Sequence, residues 1–320
     1  MANPATPEAI LRRLEWTVIR RLDGLLQGDY RTLFRGAGLD LADLREYQHH
    51  DDVRHIDWNV TARLQQPYVR QFTEDRELTA WFLLDLSGSV DFGSQRSKRS
   101  VSAEFVAVLA RLLTRHGNRV GAMLYGNSLD DVLPARNGRA HVLHLLQRMS
   151  KHTVPQAKTQ TQLQDLLQRA APLIPRRSTV FVVSDFISAP GWGDALARLA
   201  QRHEVLAVRL YDPLEMDLPD LGMVNMQDAE TGEQLLVDTR DPGFRTRFAK
   251  AADQQEAELR TALTRAGVDT LELSTDEDLV NTLLRFVELR RRRSQLAAGG
   301  GLPAHLKPLP TEKLDDLRVA

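Results

Sequence analysis

Trp81-Phe82-Leu83-Leu84-Asp85-Leu86-Ser87-Gly88-Ser89 is the stretch of sequence from which the fold can be predicted. Its four leading apolar residues have the composition of a strand buried on both faces, as in a parallel sheet covered by helices. A carboxylate and two hydroxyl groups follow on alternate positions of one short loop. In open parallel sheets, ligands bind outside the carboxyl ends of the strands. The stretch therefore predicts a buried strand that carries three oxygen-bearing side chains to the functional edge of a sheet.

The chain beyond residue 78 repeats this alternation of apolar strands and amphipathic helices. A second wholly apolar strand is predicted at 179–183, and a hairpin between residues 223 and 238. Further strands are predicted at 120–125, 204–210 and 269–273, and helices at 98–116, 140–149, 161–173, 194–202, 243–266 and 276–293. This order predicts an α/β fold with a doubly wound, mostly parallel sheet and helices on both faces.

The first 77 residues follow another pattern, which predicts a small helical and irregular subdomain. Residues 7–26 place their apolar side chains on one stripe, so an amphipathic helix packed on the body of the protein is expected. Residues 40–77 are irregular and rich in charge, with one strand at 67–72. We therefore expect an N-terminal segment at 1–77, the α/β domain at 78–294, and a disordered tail, rich in Gly and Pro, at 295–320.

Composition and missing motifs exclude several classes of function. The chain has 320 residues, a formal net charge of −1 and no cysteine, so neither nucleic acid nor a thiolate chemistry is expected. No secretory signal or bilayer-spanning apolar run is visible, which favours a cytoplasmic location. The phosphate-binding G-x-x-x-x-G-K-[ST] loop and the G-x-S-x-G serine motif are both missing. The sequence therefore predicts a protein that is not an enzyme.

A second strand is predicted to bring another acid to the loop of Asp85, Ser87 and Ser89. Asp185 comes two residues after the apolar strand at 179–183, so it stands on the same edge of a parallel sheet. These side chains supply oxygen ligands only, which hard cations such as Mg²⁺ and Mn²⁺ prefer. The alternative explanation is that Ser and Asp after a strand only form turns and cap helices.

A threonine is predicted to complete this set of oxygen ligands. Thr161 stands at the start of the helix expected at 161–173, and Thr159 is the competing choice. If an ion binds there, a metal-dependent hydrolase that polarises a phosphate or activates water is the alternative to a binding protein.

Other clusters of residues have simpler structural explanations. The histidines and acids at 49–55 match no standard spacing of zinc ligands, so a polar loop beside the α/β domain is expected. Trp58, close to Ile56, is predicted to lie in the core. The run of arginines at 290–293 suits the C-terminal end of a helix.

The same residues resemble a known family. Asp-x-Ser-x-Ser after an apolar strand, then a threonine, then an aspartate after a later strand, is similar to the metal-ion-dependent adhesion site of von Willebrand factor A domains. Residues 45–63, with Arg45-Glu46-Tyr47 and Ile56-Asp57-Trp58, resemble the signature of the DUF58 family, as does Asp212-Pro213-Leu214-Glu215. Members of that family are bacterial, contain a von Willebrand A-like domain and are associated with MoxR-type AAA+ ATPases.

The resemblance implies roles for individual residues. Ser87 and Ser89 would bind the ion directly, Asp85 and Asp185 largely through water, and Thr161 conditionally. The remaining coordination position would accept a carboxylate from a partner protein. Apart from the resemblance, the charged residues before the domain could form an ion-pair network that is structural or that presents a docking surface. The candidate docking segment consists of Arg45, Asp52, Arg54, Asp57 and Trp58.

The function implied by the resemblance is a non-catalytic, divalent-metal-dependent protein–protein interaction. The partner would be a MoxR-type AAA+ ATPase, its client protein, or both, during assembly or maturation of protein complexes. A scaffold with an empty metal site, which binds through residues 40–63, is a further alternative.

Overall fold

The computed structural model of the protein describes residues 6–19, 43–48, 53, 56–71, 78–126, 128–152, 161–227 and 234–297. Its strands are β1 (Asp43–Glu46), β2 (Tyr68–Gln71), β3 (Thr79–Asp85), β4 (Arg119–Tyr125), β5 (Leu129–Arg136), β6 (Thr179–Ser184), β7 (Glu204–Tyr211), β8 (Met223–Gln227), β9 (Gln234–Asp238) and β10 (Asp269–Ser274). Its α-helices are α1 (Pro7–Leu14), α2 (Trp58–Leu64), α3 (Lys98–Arg115), α4 (Arg139–Lys151), α5 (Leu163–Leu173), α6 (Trp192–Arg202), α7 (Pro242–Ala266) and α8 (Leu279–Ala297).

A six-stranded sheet in the order β10-β7-β6-β3-β4-β5 forms the centre of the fold. All neighbouring strands in it are parallel except β5, which is antiparallel to β4. The chain moves from β3 to β4 and β5, and then continues on the other side of β3 with β6, β7 and β10. This order confirms the predicted doubly wound, mostly parallel α/β sheet. The reversal falls between β3 and β6, which is where open α/β sheets bind ligands.

Helices cover both faces of the sheet. Successive side chains of a strand point to opposite faces, so the apolar strands present apolar side chains on both faces, and the helices bury them. Phe82 and Leu84 belong to a core shared with α1, α3, α4 and α8. Trp81 and Leu83 belong to a second core, shared with α5, α6 and α7. In the first core the rings of Phe82 and Phe181 stack with centroids 4.9 Å apart. Burial on both sides explains why β3 and β6 are apolar runs rather than alternating strands.

Most predicted elements are confirmed, but the sequence did not predict β5. This strand contains two aspartates and Pro134, residues that strands generally disfavour. As the last strand of the sheet it tolerates a proline, because its outer N–H groups have no neighbour to pair with. The predicted helix at 161–173 begins only at Leu163, so Thr161 lies in the preceding loop. The predicted hairpin is confirmed as β8 and β9, whose turn lies outside the described residues.

The N-terminal helix packs into the core of the α/β domain. α1 continues into a π-helical turn, Glu15–Ile19, and buries Leu11, Leu14, Val18 and Ile19. The ion pair of Arg111 Nε with Glu15 Oε1, at 2.5 Å, joins this turn to α3. Residues 20–42 and 298–320 lie outside the described chain, so the domain boundaries at 77 and 294 stay predictions. No helix of the described ranges is long and apolar enough to cross a membrane.

The prediction that Trp58 lies in the core is wrong. Trp58 begins α2 and is 69% exposed. Its neighbour Ile56 is half-buried through a bridge to Val69, and the intervening Asp57 caps α2 by accepting from Val60 N at 3.2 Å. The apolar neighbour Ile56 therefore does not determine where the Trp58 side chain points, because α2 begins between these two residues.

Candidate metal centre

Asp85 is the last residue of β3 and is completely buried at the edge where β3 and β6 end. The register that pairs Leu84 with Val183 brings Ser184 beside it. Ser184 Oγ donates to Asp85 Oδ2 at 2.7 Å, and Ser87 N donates to Asp85 Oδ1 at 3.0 Å. The carboxylate therefore has a fixed orientation on the carboxyl edge of the sheet.

The loop after Asp85 presents its two serine hydroxyls side by side. Ser87 Oγ and Ser89 Oγ are 3.2 Å apart, and both residues are buried. Leu86 holds the loop from both sides: its N–H donates to the Tyr125 carbonyl at 2.7 Å, and its carbonyl accepts from Arg99 Nη2 at 3.0 Å. Because β4 and α3 hold the loop in this way, the hydroxyls are positioned before any ligand binds.

Asp185 lies at the same edge and is likewise buried. Its Oδ1 accepts from Ile187 N at 3.1 Å and its Oδ2 from Lys98 Nζ at 2.7 Å. The next residue, Phe186, has a left-handed backbone with a φ of 59°, which is uncommon for a bulky residue. Its ring contacts Trp192 at 5.1 Å between centroids, so packing stabilises a strained turn beside the acid.

Thr161 is buried in the loop that precedes α5. Its carbonyl accepts from Ser188 Oγ at 2.8 Å and from Ala189 N at 3.0 Å, which joins this loop to the one that follows Asp185. The competing residue Thr159 lies outside the described chain. Thr161 is thus attached to the same edge of the sheet as the other four predicted ligands.

The two acids of the site repel each other. Burial and, second, the charge of Asp185 raise the pKa of Asp85 from 3.8 to about 6, although the hydrogen bonds from Ser184 and Ser87 act in the other direction. At neutral pH this carboxyl group is therefore charged at a cost in free energy. A cation bound between the acids would remove that cost, and the all-oxygen donor set suits a hard divalent ion.

Lys98 is a site residue that the sequence analysis missed. It is the first residue of α3 and fully buried, and its ammonium donates to Asp185 Oδ2 at 2.7 Å and to Glu215 Oε1 at 2.6 Å. Burial acts to lower the pKa of Lys98, but the two carboxylates outweigh it and the pKa is raised. A lysine at the start of a helix ordinarily points to solvent, so no local sequence pattern indicates this contact.

The formal charges of this cluster match a divalent cation. Asp85, Asp185 and Glu215 contribute three negative charges when ionised, and Lys98 contributes one positive charge. The surplus of two negative charges equals the charge of Mg²⁺ or Mn²⁺. The residues present therefore fit the ion that the sequence analysis predicts, in both donor type and charge.

Asp212 forms a second buried acidic cluster at the end of β7. Its carboxylate accepts from Ser94 N at 2.7 Å, Ser94 Oγ at 3.0 Å, Leu214 N at 2.9 Å and Thr275 Oγ1 at 2.5 Å. Burial acts to raise the pKa of Asp212, but these hydrogen bonds outweigh it and the pKa is lowered. Asp212 N in turn donates to Glu215 Oε2 at 3.0 Å, which fixes the acid that binds Lys98.

The candidate docking segment is described only in part. Arg45 lies in β1 opposite Val69 of β2, Asp57 caps α2, and Trp58 is exposed. Asp52 and Arg54, and the histidines at 49, 50 and 55, lie outside the described residues. Within the described ranges no three His, Asp or Glu side chains form a metal-binding group, so the candidate centre depends on its hydroxyls.

Residues 43–258 match the model of a protein family described as "Protein of unknown function DUF58". Uncharacterized proteins of Mycobacterium tuberculosis and Mycobacterium bovis are each 39% identical to the chain over 290 residues, which is 89% of this chain and 90% of theirs. These matches confirm the resemblance to DUF58 found in the sequence.

Solved structures with a similar arrangement of elements share little sequence with the chain. An aerotolerance-related membrane protein from Bacteroides fragilis is 13% identical, with a TM-score of 0.45 over 68% of this chain and 99% of its own. BatB from Bacteroides thetaiotaomicron is 14% identical, with a TM-score of 0.43 over 67% and 99%. The SpRpn10 VWA domain is 14% identical, with a TM-score of 0.35 over 65% and 94%.

Proposed function

This chain belongs to the DUF58 family, and we propose that it is a non-catalytic protein-interaction module that holds its partner through a divalent cation. One observation carries the proposal: the buried edge where Asp85 faces Asp185 beside the hydroxyls of Ser87 and Ser89. Burial and, second, the charge of Asp185 raise the pKa of Asp85 to about 6, and a cation bound beside these acids would lower it again.

The residues of the chain would act as a prearranged ligand set. Ser87 and Ser89 would bind the ion directly, Asp85 and Asp185 largely through water, and Thr161 conditionally. When bound, the ion supplies a positive charge to which a partner's Asp or Glu carboxylate can attach. Ser184 keeps Asp85 oriented and Lys98 keeps Asp185 oriented, through the hydrogen bonds of 2.7 Å that each donates. No bond of the partner is broken.

The proposed partner is a MoxR-type AAA+ ATPase, its client protein, or both, in assembly or maturation of protein complexes. The resemblance of residues 45–63 and 212–215 to the family signature supports this choice. A cytoplasmic location is part of the same proposal.

Titration calorimetry with Mg²⁺ and with Mn²⁺ tests the ion requirement. We expect the wild-type protein to bind one ion, and Asp85→Ala to bind none. Ser102→Ala is the matched control, because Ser102 is fully buried in α3 and its hydroxyl bonds with none of the described residues. Absence of binding to the wild-type protein would overturn the proposal.

A binding assay with a purified MoxR-type ATPase tests the partner. We expect a complex in Mg²⁺ that dissociates when EDTA is added and does not form with Asp85→Ala. A complex that resists EDTA would favour the scaffold that binds through residues 40–63. Turnover of a phosphoester that depends on the ion and on Asp85 would favour the hydrolase instead.

A further inference from the structure

A cavity of about 620 Å³ opens beside the candidate metal centre. It lies between the loop after β6, the end of β7 and the helix α7, and Asp185 and Glu215 form part of its wall. Phe186, Trp192 and Leu259 provide apolar surface in the same wall. A partner whose acid is held at the metal would therefore place neighbouring residues at the mouth of this cavity.

The charged residues of the cavity wall are mostly acidic. The wall contains two arginines and the five acids Asp185, Asp194, Glu215, Glu256 and Glu258. Lys98 bonds with Asp185 and Glu215, and Arg209 pairs with Glu256 at 2.5 Å. Asp194 and Glu258 are both exposed and form no ion pair with any of the described residues, and Arg265 is the remaining cation of the wall. This surplus of negative charge favours a ligand with a cationic group.

Arg209 is the second cation of the cavity wall. It stands on the face of β7 that also carries Val205 and Ala207, and it is 9% exposed. Its guanidinium pairs with Glu256 and Glu272 and lies 5.3 Å from the centre of the Tyr211 ring. Its Nε is buried, and no acceptor among the described residues bonds with it. Because Arg209 is buried and already paired, it does not offset the charge of Asp194 and Glu258.

We propose that this cavity binds a basic residue, arginine or lysine, of the same partner segment whose acid is held at the metal. The cationic head would lie at Asp194 and Glu258, and the aliphatic stem along Trp192 and Leu259. Long basic side chains combine an apolar stem with a charged end, as this wall requires. The inference rests on the proposed function only for the position of the neighbouring acid.

N-acetyl-arginine amide is the probe, because it contains the cationic head and the aliphatic stem of an arginine within a peptide. Binding is followed by NMR at the Trp192 indole N–H, assigned with Trp192→Phe. N-acetyl-leucine amide and N-acetyl-glutamate amide are compared at the same concentrations. We expect only the arginine compound to shift the Trp192 signal with saturation. Stronger binding of the leucine or the glutamate compound would overturn the inference.

Charge-reversal variants at the cavity rim test whether the arginine compound binds in the cavity or elsewhere on the surface. We expect Glu258→Lys and Asp194→Lys each to weaken binding of the arginine compound at least tenfold. Glu288→Lys, an equally exposed change on α8 outside the cavity, should leave it unchanged. Exposed positions rarely affect folding, and a thermal melt of each variant verifies this. Unchanged binding in both rim variants would contradict the proposal.

Repeating the titration in EDTA, and with Asp85→Ala, distinguishes the two proposals. The cavity should bind the arginine compound without the ion, whereas the partner complex should not form. Ion binding without arginine binding would overturn the cavity proposal alone. Arginine binding without ion binding would overturn the metal proposal alone.

Discussion

Asp85 and Asp212 are both completely buried carboxylates at the ends of strands in one sheet, yet their surroundings move their pKa values in opposite directions. Asp212 accepts hydrogen bonds from Ser94, Leu214 and Thr275, and its pKa is lowered. Asp85 accepts fewer hydrogen bonds, and burial and, second, the charge of Asp185 raise its pKa to about 6.

The opposite pKa shifts distinguish a buried acid that stabilises the fold, Asp212, from a buried acid that is available to a ligand, Asp85. A carboxylate whose lone pairs are all used by the protein joins elements together, as Asp212 joins the 94–96 loop to the end of β10. A carboxylate that is paired with a like charge costs free energy until a cation binds. The burial of the two side chains alone would not distinguish Asp85 from Asp212.

Lys98→Met should have the largest effect, because it removes the cation that pairs with Asp185 and Glu215. The buried Asp185 and the half-buried Glu215 would lose their counter-charge, so we expect a loss of about 3–5 kcal/mol in the free energy of unfolding. Urea unfolding at pH 7 measures it, with the exposed Lys250→Met as control. A loss no larger than that of the control would show that the acids of this edge need no counter-ion.

Asp212→Asn tests whether the Asp212 carboxylate stabilises the fold without taking part in metal binding. Hydrogen bonds to a charged group each contribute about 1.5–3 kcal/mol, so we expect a loss of roughly 2–4 kcal/mol. Mg²⁺ should raise the melting temperature of this variant by as much as it raises that of the wild-type protein. A lost response to Mg²⁺ would place Asp212 in the metal centre and break the distinction between the two acids.

Asp85→Asn should change stability in the opposite direction. In the folded chain the pKa of Asp85 is raised from 3.8 to about 6, so the metal-free protein loses stability as the pH rises through that interval. Removing the charge should therefore stabilise the metal-free protein above pH 6, by roughly 1–3 kcal/mol, because one pKa unit equals about 1.4 kcal/mol.

Urea unfolding in EDTA between pH 4 and pH 7.5 measures this effect, as the difference between the variant and the wild-type protein. The difference should grow as the pH rises towards 6 and stay constant above it. Mg²⁺ should stabilise the wild-type protein and leave Asp85→Asn unaffected. A variant that is less stable than the wild-type protein at pH 7 in EDTA would mean that Asp85, like Asp212, stabilises the fold.

Ser89→Ala should have the smallest effect on stability and still weaken metal binding. Its hydroxyl lies 3.2 Å from that of Ser87 and contributes little to the core. We expect an affinity for Mg²⁺ at least about tenfold lower, with a change in stability within about 1 kcal/mol. Ser102→Ala, which also removes a buried hydroxyl, should leave the affinity unchanged. Equal affinities in the two variants would remove Ser89 from the ligand set.

The sheet was predictable from sequence because its inner strands are buried on both faces. Each is an apolar run, such as Phe82-Leu83-Leu84, and the acids that follow two of these runs must meet at one edge. The position of Asp85 beside Asp185 follows from topology alone. Strand β5 was not predictable in this way, since an edge strand has no need of apolar residues on both sides.

Lys98 and Arg209 could not be identified as buried residues from sequence. Lysine and arginine are ordinarily solvated, and their burial becomes visible only when acids from distant segments approach them. Glu215 lies 117 positions from Lys98 in the chain. One feature of the sequence does hint at the burial of Arg209. It lies in β7 on the same face as the buried Val205 and Ala207, where an apolar side chain is expected. Trp58 shows the opposite error, because an aromatic residue was expected to be buried and is exposed.

Strand β5 also determines how the sheet ends. An edge strand exposes N–H and C=O groups that a strand of a second molecule could pair with, which is how many proteins begin to aggregate. Pro134 has no N–H to offer, and Asp131, paired with Arg148 at 2.5 Å, adds charge to the same strand. A second copy that approached this edge would lack a hydrogen-bond donor at Pro134 and would meet the charge of Asp131. The composition that made β5 hard to predict from sequence thus disfavours pairing of a second copy with this edge of the sheet.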